Sequence, residues 1–506
     1  MTDHQHAVLS VASMAKADAY AMKTGVSGMT LMEAAGEALA RAIVRRWSAR
    51  KTAVLCGPGN NGGDGWVAAR RLAEAGWPVT VFAMKPVGAL EGDARIAAER
   101  WRGETGRLED CDPSAFGLVI DALFGAGLSR PLEGEPARLA RACANLPVVS
   151  ADVPSGVHGD RARADGPAFE AELTVTFHRF KPAHLLHPGR AACGEIVLAD
   201  IGVPDGWDAD AKPVAEHNDP DLWRVPGLSI EAAAHKHTRG RLCVLSGAKG
   251  ASGAARLAAE AGLSGGAGYV TLLCPPDALA EAAASMQAVV TRAFDPDLDF
   301  AKILKSHRAD CAILGPGAGK DEGIRAKVLS ACASEAALVL DADALTVFED
   351  DPDTLFKAAH ARCVLTPHAG EFSKLFGGLL DESRNKIEAA REAARRSGAV
   401  VVLKGPDTVV AAPDGRVRIN THASPRLATA GTGDSLAGLI GAFLAQGADA
   451  FDAASAAVWV HGEAGRRMGP GAHAGTLLSL LPGALAHLRD RTERKAALRR
   501  LSPRGV

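Results

Sequence analysis

The chain of 506 residues is too long for one ordinary domain and predicts two or three, with 47% hydrophobic residues to form their cores. Its 57 Lys and Arg residues nearly balance 59 Asp and Glu residues, and the net charge of -2 argues against a nucleic-acid or acidic membrane partner. The nine cysteines form no C-x-x-C pair, which argues against a disulfide framework and a zinc site. The sequence has no apolar run of about 18 residues, which argues against a membrane span. Because it also lacks a signal-peptide pattern, a cytoplasmic protein is expected.

Short apolar runs alternate with helical patterns through the first 200 residues or so. The candidate strands are "TAVLC" (52–56), "VTVFAM" (79–84), "FGLVIDALFG" (116–125), "PVVSADVPSG" (147–156) and "LTVTFH" (173–178). Continuous apolar strands separated by helices are typical of a parallel sheet that is covered on both faces. The first half is therefore predicted to be a Rossmann-like, three-layer α/β/α domain.

The stretch "GPGNNGGDG" (57–65) is predicted to be a polar loop between the first strand and a helix over residues 65–76. Its glycines have the G-x-G-x-x-G spacing of a dinucleotide fingerprint. That fingerprint needs an acidic residue about 20 residues further on, and the second strand ends in "MKP" without one. Asn60, Asn61 and Asp64 instead offer side-chain acceptors at a helix start, which suit a ribose, an amide or a monovalent cation. The alternative is a sequence that only makes turns.

Two further strand ends carry carboxylates. Asp121 is followed by a glycine turn at Gly125 and Gly127, and Asp152 is followed by Ser155. The carboxyl ends of parallel strands meet at one edge of the sheet, where open α/β sheets bind ligands. A single Asp at such a position often only caps a helix. Three polar strand ends on one edge favour a site, in which Asp152 could shuttle a proton.

The alternation of strands and helices is lost between about residues 203 and 230, where Pro, Asp and Gly are dense, and a domain boundary is predicted there. A second α/β pattern follows, with the apolar runs "LCVLSG", "YVTLLC", "CAILGPG", "LVLDADAL", "CVLTPH" and "VVLKG". The chain is thus predicted to hold two different α/β domains.

The stretch "ATAGTGDSLAG" (428–438) predicts a chemical site in the second half. Gly431 and Gly433 allow backbone N–H groups at a helix N-terminus to converge on an anion, and Asp434 in the same turn can accept a proton from a hydroxyl. An anion site beside a base suits phosphoryl transfer to an alcohol. The alternative, a helix that Asp434 merely caps, explains neither glycine.

Two other strand ends precede this stretch. "LKGPDTVV" places Lys404, Gly405 and Thr408 on a strand–turn–strand segment that suits nucleotide phosphates. "LTPHAGEF" places His368 at a strand end, where a histidine either contacts a ligand or caps and packs, and the pattern leaves both open.

Motifs of the first half resemble the N-terminal domain of NAD(P)H-hydrate epimerases over residues 14–204. They are "MAKADAYAMKTGVSGMTLMEAAG", "GPGNNGGDG", "DALFGAGL", "DVPSG", "VTFHRFKPA" and "DIGVP". The resemblance implies a hydrated nicotinamide nucleotide as substrate, with Asp152 as the catalytic residue near the reacting carbon. It implies potassium bound by Asn61, Asp121 and Ser155. It further implies substrate contacts at Asn60, Asn61, Gly62, Gly63, Asp64, Gly125, Ala126 (usually Thr in the family), Gly127, Leu128, Ser129, Arg130 and Pro131.

The second half resembles the ribokinase-like fold and, more closely, ADP-dependent NAD(P)H-hydrate dehydratases over residues 228–487. The motifs are "HKHTRG", "GAARLAAEAGLSGGAGYVTLL", "LGPGAG", "LDADAL", "TPHAGE", "LKGPDTVV" and "LATAGTGDSLAG". The resemblance implies that Asp434 is the catalytic base and that Ala254, Gly317, His368 and Asp434 contact the hydrated cofactor. It implies that ADP, with Mg²⁺, is held by Lys404, Gly405, Pro406, Asp407, Thr408 and Gly433.

The sequence therefore predicts a bifunctional repair enzyme for hydrated NADH and NADPH. Residues 1–210 would epimerise the R and S hydrates, and residues 228–495 would use ADP to dehydrate the S hydrate. Residues 211–227 would form a linker and residues 496–506 a tail. A homo-oligomer is expected, with its small-molecule substrate as the partner and neither nucleic acid nor a membrane.

Two alternative functions are weighed against the repair enzyme. The first is a ribokinase-like small-molecule kinase whose first domain only binds or scaffolds. A pure scaffold has no chemical need for the set Asn61, Asp121, Asp152 and Ser155, which argues against it. The second is an NAD-dependent oxidoreductase, which the missing ribose-binding acid disfavours.

Overall fold

The computed structural model describes residues 4–226 and 239–501. Their contacts divide the chain into two units, Met1–Glu216 and His217–Val506. Residues 235–238 of the predicted motif "HKHTRG" lie outside the described residues. Within the described part of the chain, no helix combines the length and the hydropathy that a membrane crossing requires.

In the part that the structure describes, the first unit contains a parallel sheet and six α-helices. In chain order its strands are β1 (Ala7–Val8), β2 (Thr52–Cys56), β3 (Val79–Ala83), β4 (Glu104–Arg107), β5 (Leu118–Ala122), β6 (Val148–Ala151), β7 (Leu173–Phe177) and β8 (Glu195–Ala199), and β9 (Ala215–His217) ends one residue beyond the unit. Strands β1 and β9 pair antiparallel and are not part of the parallel sheet. Its helices are α1 (Val11–Lys23), α2 (Gly28–Val44), α3 (Asn60–Glu74), α4 (Gly92–Arg100), α5 (Gly134–Ala142) and α6 (Gly189–Ala192). The sheet order is β4-β3-β2-β5-β6-β7-β8, with every neighbouring pair parallel.

Apolar residues cover both faces of this sheet. Along β2, Val54 and Cys56 join a core with α2 and α3, whereas Ala53 and Leu55 join a second core with α5. Successive side chains of a strand point to opposite faces, so the two cores lie on opposite sides of the sheet. The prediction of a three-layer α/β/α arrangement is confirmed.

The strand order reverses between β2 and β5, and open α/β sheets bind ligands at such a reversal. Helix α3 begins at Asn60, five residues earlier than predicted, so the interpretation of residues 60–64 as a loop is wrong. The glycines explain the difference, because they let the first turn of the helix lie against the end of β2. A Cβ atom on Gly62 would stand 1.9 Å from the carbonyl oxygen of Gly57.

The second unit also contains a largely parallel sheet. Its strands are β10 (Arg241–Leu245), β11 (Tyr269–Cys274), β12 (Val290–Ala293), β13 (Cys311–Leu314), β14 (Ala337–Leu340), β15 (Cys363–Leu365), β16 (Val400–Leu403), β17 (Thr408–Ala411) and β18 (Val417–Asn420). They lie in the order β18-β17-β16-β15-β14-β13-β10-β11-β12. Pairing is parallel from β12 to β16 and antiparallel from β16 to β18. The predicted α/β class is confirmed for both units.

Twelve α-helices of the described chain accompany this sheet, and α16 is buried along nearly its whole length. They are α7 (Gly253–Ser264), α8 (Leu279–Ser285), α9 (Phe300–Ser306), α10 (Glu322–Cys332), α11 (Asp343–Thr346), α12 (Pro352–Ala358), α13 (Ala369–Phe376), α14 (Leu379–Glu382), α15 (Lys386–Ser397), α16 (Thr432–Ala445), α17 (Ala450–Arg466) and α18 (Ala474–Leu501). A Cβ atom on Gly438 of α16 would stand 2.2 Å from the carbonyl oxygen of Ala258 in α7. This close packing fixes the position of the α16 N-terminus.

The variant Gly62→Ala is expected to destabilise the first unit by about 1–3 kcal/mol, because the added methyl group has no space beside Gly57. Gly59→Ala in the same stretch is the matched control, since a Cβ atom there has nothing within 4 Å. Urea unfolding of both variants, followed by tryptophan fluorescence, measures the difference. Equal free energies of unfolding for the two variants would contradict the packing argument.

Candidate active sites

A cavity of about 430 Å³ in the first unit opens at the carboxyl ends of β2, β5 and β6. Helices α1 and α2 supply apolar wall residues such as Met14, Leu31 and Met32. The predicted site residues on the wall are Asn60, Asn61, Asp64, Gly125, Ala126, Gly127 and Asp152. An apolar wall with polar groups gathered at one edge is typical of a small-molecule site.

The other predicted substrate contacts of this unit lie elsewhere. Gly62 and Gly63 are buried inside α3, and Leu128 packs against the core beneath α5. Ser129, Arg130 and Pro131 are exposed on the turn that follows β5. These residues are therefore not part of the cavity wall.

Asp152 follows β6 directly and has a φ of 62°, a left-handed conformation that is uncommon outside glycine and often occurs at functional sites. Its Oδ1 accepts hydrogen bonds from Lys181 Nζ at 2.7 Å and from Thr176 Oγ1 at 3.1 Å. Its Oδ2 accepts one from the Ala126 N–H at 3.0 Å. His184 Nε2 donates to the Asp152 carbonyl oxygen at 2.7 Å. These contacts hold both the backbone and the carboxylate in place.

Asp152 and Lys181 form a buried ion pair, with only 3% of the Lys181 side chain exposed. Burial alone would raise the pKa of Asp152, but the charges of Lys181 and His184 and the hydrogen bonds from Lys181 and the Ala126 N–H together outweigh it and lower that pKa to about 2. Burial also raises the pKa of Asp64 well above its usual range, and the Asp152 charge adds to this effect. Burial raises the pKa of Asp18 on α1 to about 6, against the opposing charge of Lys181. The cavity thus combines one firmly ionised carboxylate with two that retain protons more readily.

Asp121 is completely buried behind the cavity edge. Its carboxylate accepts hydrogen bonds from Ser155 Oγ at 2.6 Å, Ser155 N–H at 2.8 Å, Ser150 Oγ at 3.0 Å and Leu123 N–H at 3.3 Å. All four donors are neutral, and burial raises the pKa of Asp121 to about 6. The Oδ1 atom of Asn61 lies 3.1 Å from the position of a Cβ atom on Gly125, at the same edge. These oxygen atoms suit a hard cation.

The sequence did not single out Lys181 or Asp18. Lys181 lies inside the quoted motif "VTFHRFKPA" and follows β7, so its position after a strand was the available signal. Asp18 lies on a helix that precedes the sheet, and no feature of its local sequence indicates that α1 reaches the cavity.

The N-terminus of α16 forms the predicted site of the second unit. Gly431 caps the helix with a φ of 88°, and Asp434 lies in the first turn. A Cβ atom on Gly431 would stand 2.8 Å from Leu257 Cδ1 of α7, so glycine is required for both conformation and space. His461 Nε2 donates a hydrogen bond to the Thr432 carbonyl at 2.9 Å and holds this turn.

Lys404 brings a buried positive charge to the same helix end. Its Nζ lies 2.8 Å from Asp341 Oδ1 and 3.8 Å from Glu371 Oε2. A Cβ atom on Gly433 would stand 3.7 Å from that Nζ. Burial alone would lower the pKa of Lys404, but Asp341 and Glu371 raise it, so the ammonium stays charged. A helix N-terminus beside a lysine is a site for an anion such as phosphate.

Asp434 differs from Asp341 in its partners. The Asp341 carboxylate accepts hydrogen bonds from Lys404 Nζ at 2.8 Å and from Thr366 Oγ1 at 2.7 Å. Burial and the neighbouring Asp341 charge raise the pKa of Asp434 to about 6, with Lys404 opposing them. A carboxylate that titrates close to neutral pH is suited to proton transfer.

The structure brings Ala254 and Gly317 together, because a Cβ atom on Gly317 would stand 3.6 Å from the Ala254 Cβ. His368 caps α13, where its Nδ1 accepts the Gly370 N–H at 2.9 Å, while Glu371 accepts the His368 N–H in return. The capping alternative for His368 is therefore observed. Its side chain is nevertheless 61% exposed, and its Nε2 lies 3.5 Å from Glu371 Oε1.

The segment Lys404–Thr408 is a turn between β16 and β17. Thr408 Oγ1 closes this turn by donating to the Gly405 carbonyl at 2.9 Å. Asp407 is buried in an ion pair with Lys386 Nζ at 2.7 Å. Gly405 and Pro406 are exposed at its tip. The turn therefore offers exposed backbone beside the charged Lys404.

Each unit matches a different protein family. Residues 28–183 match the family described as the YjeF-related protein N-terminus, and residues 242–485 match the family described as NAD(P)H-hydrate dehydratase. The two matches define a class of enzyme in which these two domains share one chain.

Similar proteins of this class cover nearly the whole chain. A bifunctional NAD(P)H-hydrate repair enzyme of Thermofilum pendens is 37% identical over 498 residues, which cover 93% of this chain and 94% of that protein. The corresponding Escherichia coli enzyme is 32% identical over 453 residues, 87% and 85% of the two chains. A crystal structure of the Bacillus subtilis ADP/ATP-dependent NAD(P)H-hydrate dehydratase, with 26% identity and a TM-score of 0.44, covers 51% of this chain and 94% of its own.

The chain belongs to the family of bifunctional NAD(P)H-hydrate repair enzymes. The predicted resemblance and the predicted enzyme class are confirmed. The alternative of a kinase with a scaffold domain and the alternative of an oxidoreductase are both disfavoured by this membership.

The variant Lys181→Met is expected to lower the free energy of unfolding by about 3–5 kcal/mol, because it leaves Asp152 buried without its partner charge. The pKa of Asp152 should rise, since the charge of Lys181 would no longer oppose the effect of burial. In the double variant Lys181→Met/Asp152→Asn the buried charge is gone, and most of the stability should return. Urea unfolding at neutral pH measures all three proteins. A single variant as stable as the wild type would contradict the buried ion pair.

Proposed function

We propose that the chain repairs hydrated NADH and NADPH in two steps. Residues 1–210 interconvert the R and S hydrates at C6 of the nicotinamide ring, and residues 228–495 return the S hydrate to the reduced cofactor. Residues 211–227 link the two domains and residues 496–506 form a tail. The observation that carries the proposal is the position of Asp434 in the first turn of α16, where a buried lysine adds positive charge to the helix N-terminus.

In the first site, the hydrated ring occupies the cavity beside Asp152. The N–H groups at the start of α3, around Asn60 and Asn61, favour a phosphate of the nucleotide. The rest of the dinucleotide extends over the turn at residues 125–131, whose exposed part lies outside the cavity. This arrangement accounts for the predicted substrate contacts that line the cavity and for those that lie outside it.

Potassium is proposed to bind Asn61, Asp121 and Ser155. These residues offer amide, carboxylate and hydroxyl oxygens, which hard cations prefer. The buried Asp121 carboxylate accepts hydrogen bonds from neutral donors, so a monovalent cation would balance its charge. When bound, potassium supplies a positive charge next to the substrate.

In the second site, Asp434 acts as the base. It takes the proton of the 6-hydroxyl as that oxygen attacks the terminal phosphorus of ADP, and the bond from this phosphorus to the bridging oxygen breaks. The N–H groups of α16 and the Lys404 ammonium stabilise the charge that develops on the phosphoryl oxygens. The C6–O bond of the phosphate ester then breaks and C5 loses a proton, which restores the 5,6 double bond. Phosphate leaves far more readily than hydroxide.

The nucleotide is proposed to lie along the turn Lys404–Thr408 and against Gly433. Support comes from the exposed tip of this turn and from the proximity of Lys404 to Gly433. The side chains of Asp407 and Thr408 already have partners within the protein, so their contribution is to shape the turn. Mg²⁺ is proposed to accompany the nucleotide phosphates.

The proposal is tested by incubating the purified protein with mixed R and S hydrate and ADP. The absorbance of the dihydronicotinamide should rise until both epimers are consumed. A protein that restored no absorbance and instead phosphorylated an unrelated alcohol would contradict the proposal.

Two variants should separate the activities. Asp434→Asn is expected to lower the rate of dehydration by about 100-fold to 10,000-fold, the range for loss of a general base, while epimer exchange continues. With Asp152→Asn, the S hydrate is expected to be dehydrated as in the wild type. The R hydrate should disappear only as fast as it converts spontaneously to the S hydrate. Each variant is the control for the other. If either change abolished both activities in a folded protein, the division between the units would be wrong.

Replacement of potassium by a large organic cation is expected to slow epimer exchange and to leave dehydration of pure S hydrate unchanged, because the proposed ligands all lie in the first unit. Titration of potassium back into the assay should restore exchange. Exchange that proceeds equally fast without potassium would contradict the assignment of Asn61, Asp121 and Ser155.

A further inference from the structure

Helix α1 contributes a carboxylate to the cavity of the first unit. Asp18 lines this cavity together with Asp64 on α3, Asp93 on α4, Asp152 after β6 and Lys181 after β7. Asp18 is only partly buried, so its carboxyl group is accessible from the cavity. Four acidic side chains and one lysine thus share one wall.

Lys181, the one lysine among the described residues that line the cavity, forms an ion pair with Asp152. Its Nζ donates to Asp152 at 2.7 Å, to Thr176 Oγ1 at 3.1 Å and to the Phe177 carbonyl at 3.2 Å. On the outer side of α1, Asp208 pairs with His4 at 3.2 Å and takes no part in the cavity. Lys181 and Asp152 both act electrostatically on Asp18, in opposite directions, and burial raises the pKa of Asp18 to about 6.

We propose that Asp18 is a catalytic residue of the epimerase site, where it gives a proton to the 6-hydroxyl of the hydrate and later takes one back. The proposal rests on the proposed function of the first unit and adds to it the group that moves the proton. The ionised Asp152, held by Lys181, stabilises positive charge on the ring.

Epimer exchange proceeds by loss and return of water at C6. Protonated Asp18 donates to the hydroxyl on C6, the C6–O bond breaks and water leaves. The lone pair of the ring nitrogen N1 forms a C6=N1 double bond, whose positive charge faces the Asp152 carboxylate. Water then adds to the opposite face of C6, the nitrogen recovers its electron pair, and the released proton passes through water in the cavity back to Asp18. The product is the other epimer, with no net consumption of water or proton.

Asp152 and Asp64 are less suited to this task than Asp18. Asp152 has a pKa of about 2 and gives up its proton too readily to serve as the acid. Asp64 is almost fully buried, so its carboxyl group is less accessible to the hydroxyl of the hydrate than that of the half-buried Asp18. A group that titrates near the working pH can alternate between the two forms.

The test uses the full-length protein without ADP, so that only epimer exchange takes place. Chromatography follows the conversion of R hydrate to S hydrate. For the wild type, kcat/KM is expected to fall as pH rises through about 6, because the reaction begins with protonated Asp18. The exposed residue Glu37 on α2 provides the control variant Glu37→Gln, which should retain both the rate and this pH profile.

Asp18→Asn is expected to lower kcat by about 100-fold to 10,000-fold, to change KM little and to remove the pH dependence. Asp18→Glu should recover part of the rate together with the pH dependence. Tryptophan fluorescence during urea unfolding checks that the first unit of each variant is folded. A folded Asp18→Asn variant with the wild-type rate or pH profile would overturn the proposal, as would a wild-type kcat/KM that is flat across this pH range.

If the wild type does not exchange the epimers at all, the proposed function of the first unit is wrong. If the wild type exchanges them and Asp18→Asn does so equally well, the proposed function stands and the role of Asp18 is overturned.

Discussion

A buried lysine paired with one aspartate determines the charge state of each site. In the first unit Lys181 lies 2.7 Å from Asp152, and in the second Lys404 lies 2.8 Å from Asp341. In the first unit, Lys181 helps to keep Asp152 ionised where burial alone would favour its neutral form. A second carboxylate in each site, Asp18 or Asp434, has a pKa raised to about 6. Two carboxyl groups with separated pKa values are a general basis for dividing electrostatic and proton-transfer roles.

The two sheets position the lysine of each site in different ways. In the first unit the ends of β6 and β7 place Asp152 and Lys181 side by side, and the strand reversal next to β2 leaves room for the cavity. In the second unit Lys404 follows β16, and the buried helix α16 presents its N-terminus to it. Close glycine contacts hold both helix starts, α3 and α16, against their neighbours. The chemistry therefore depends on packing that tolerates no side chain at these glycines.

Sequence patterns predicted the strands that end at the sites, because buried parallel strands are continuous apolar runs and their carboxyl ends meet at one edge. They also placed Asp152 and Asp434 correctly at a strand end and a helix start. They failed for residues 60–64, because two glycines, two asparagines and an aspartate indicate a turn unless the space beside Gly57 is known. Lys181 and Asp18 were missed because their roles come from contacts between distant elements. The exposure and the capping role of His368 likewise depend on the fold.

The central claim is that the two sites act in succession on the two epimers. The most direct measurement is a time course with excess ADP in which chromatography resolves R hydrate, S hydrate and reduced cofactor. The account predicts that both epimers decline together and that the reduced cofactor reaches the sum of their initial amounts. Rapid loss of the S hydrate alone, with the R hydrate falling only at its spontaneous rate, would contradict the claim.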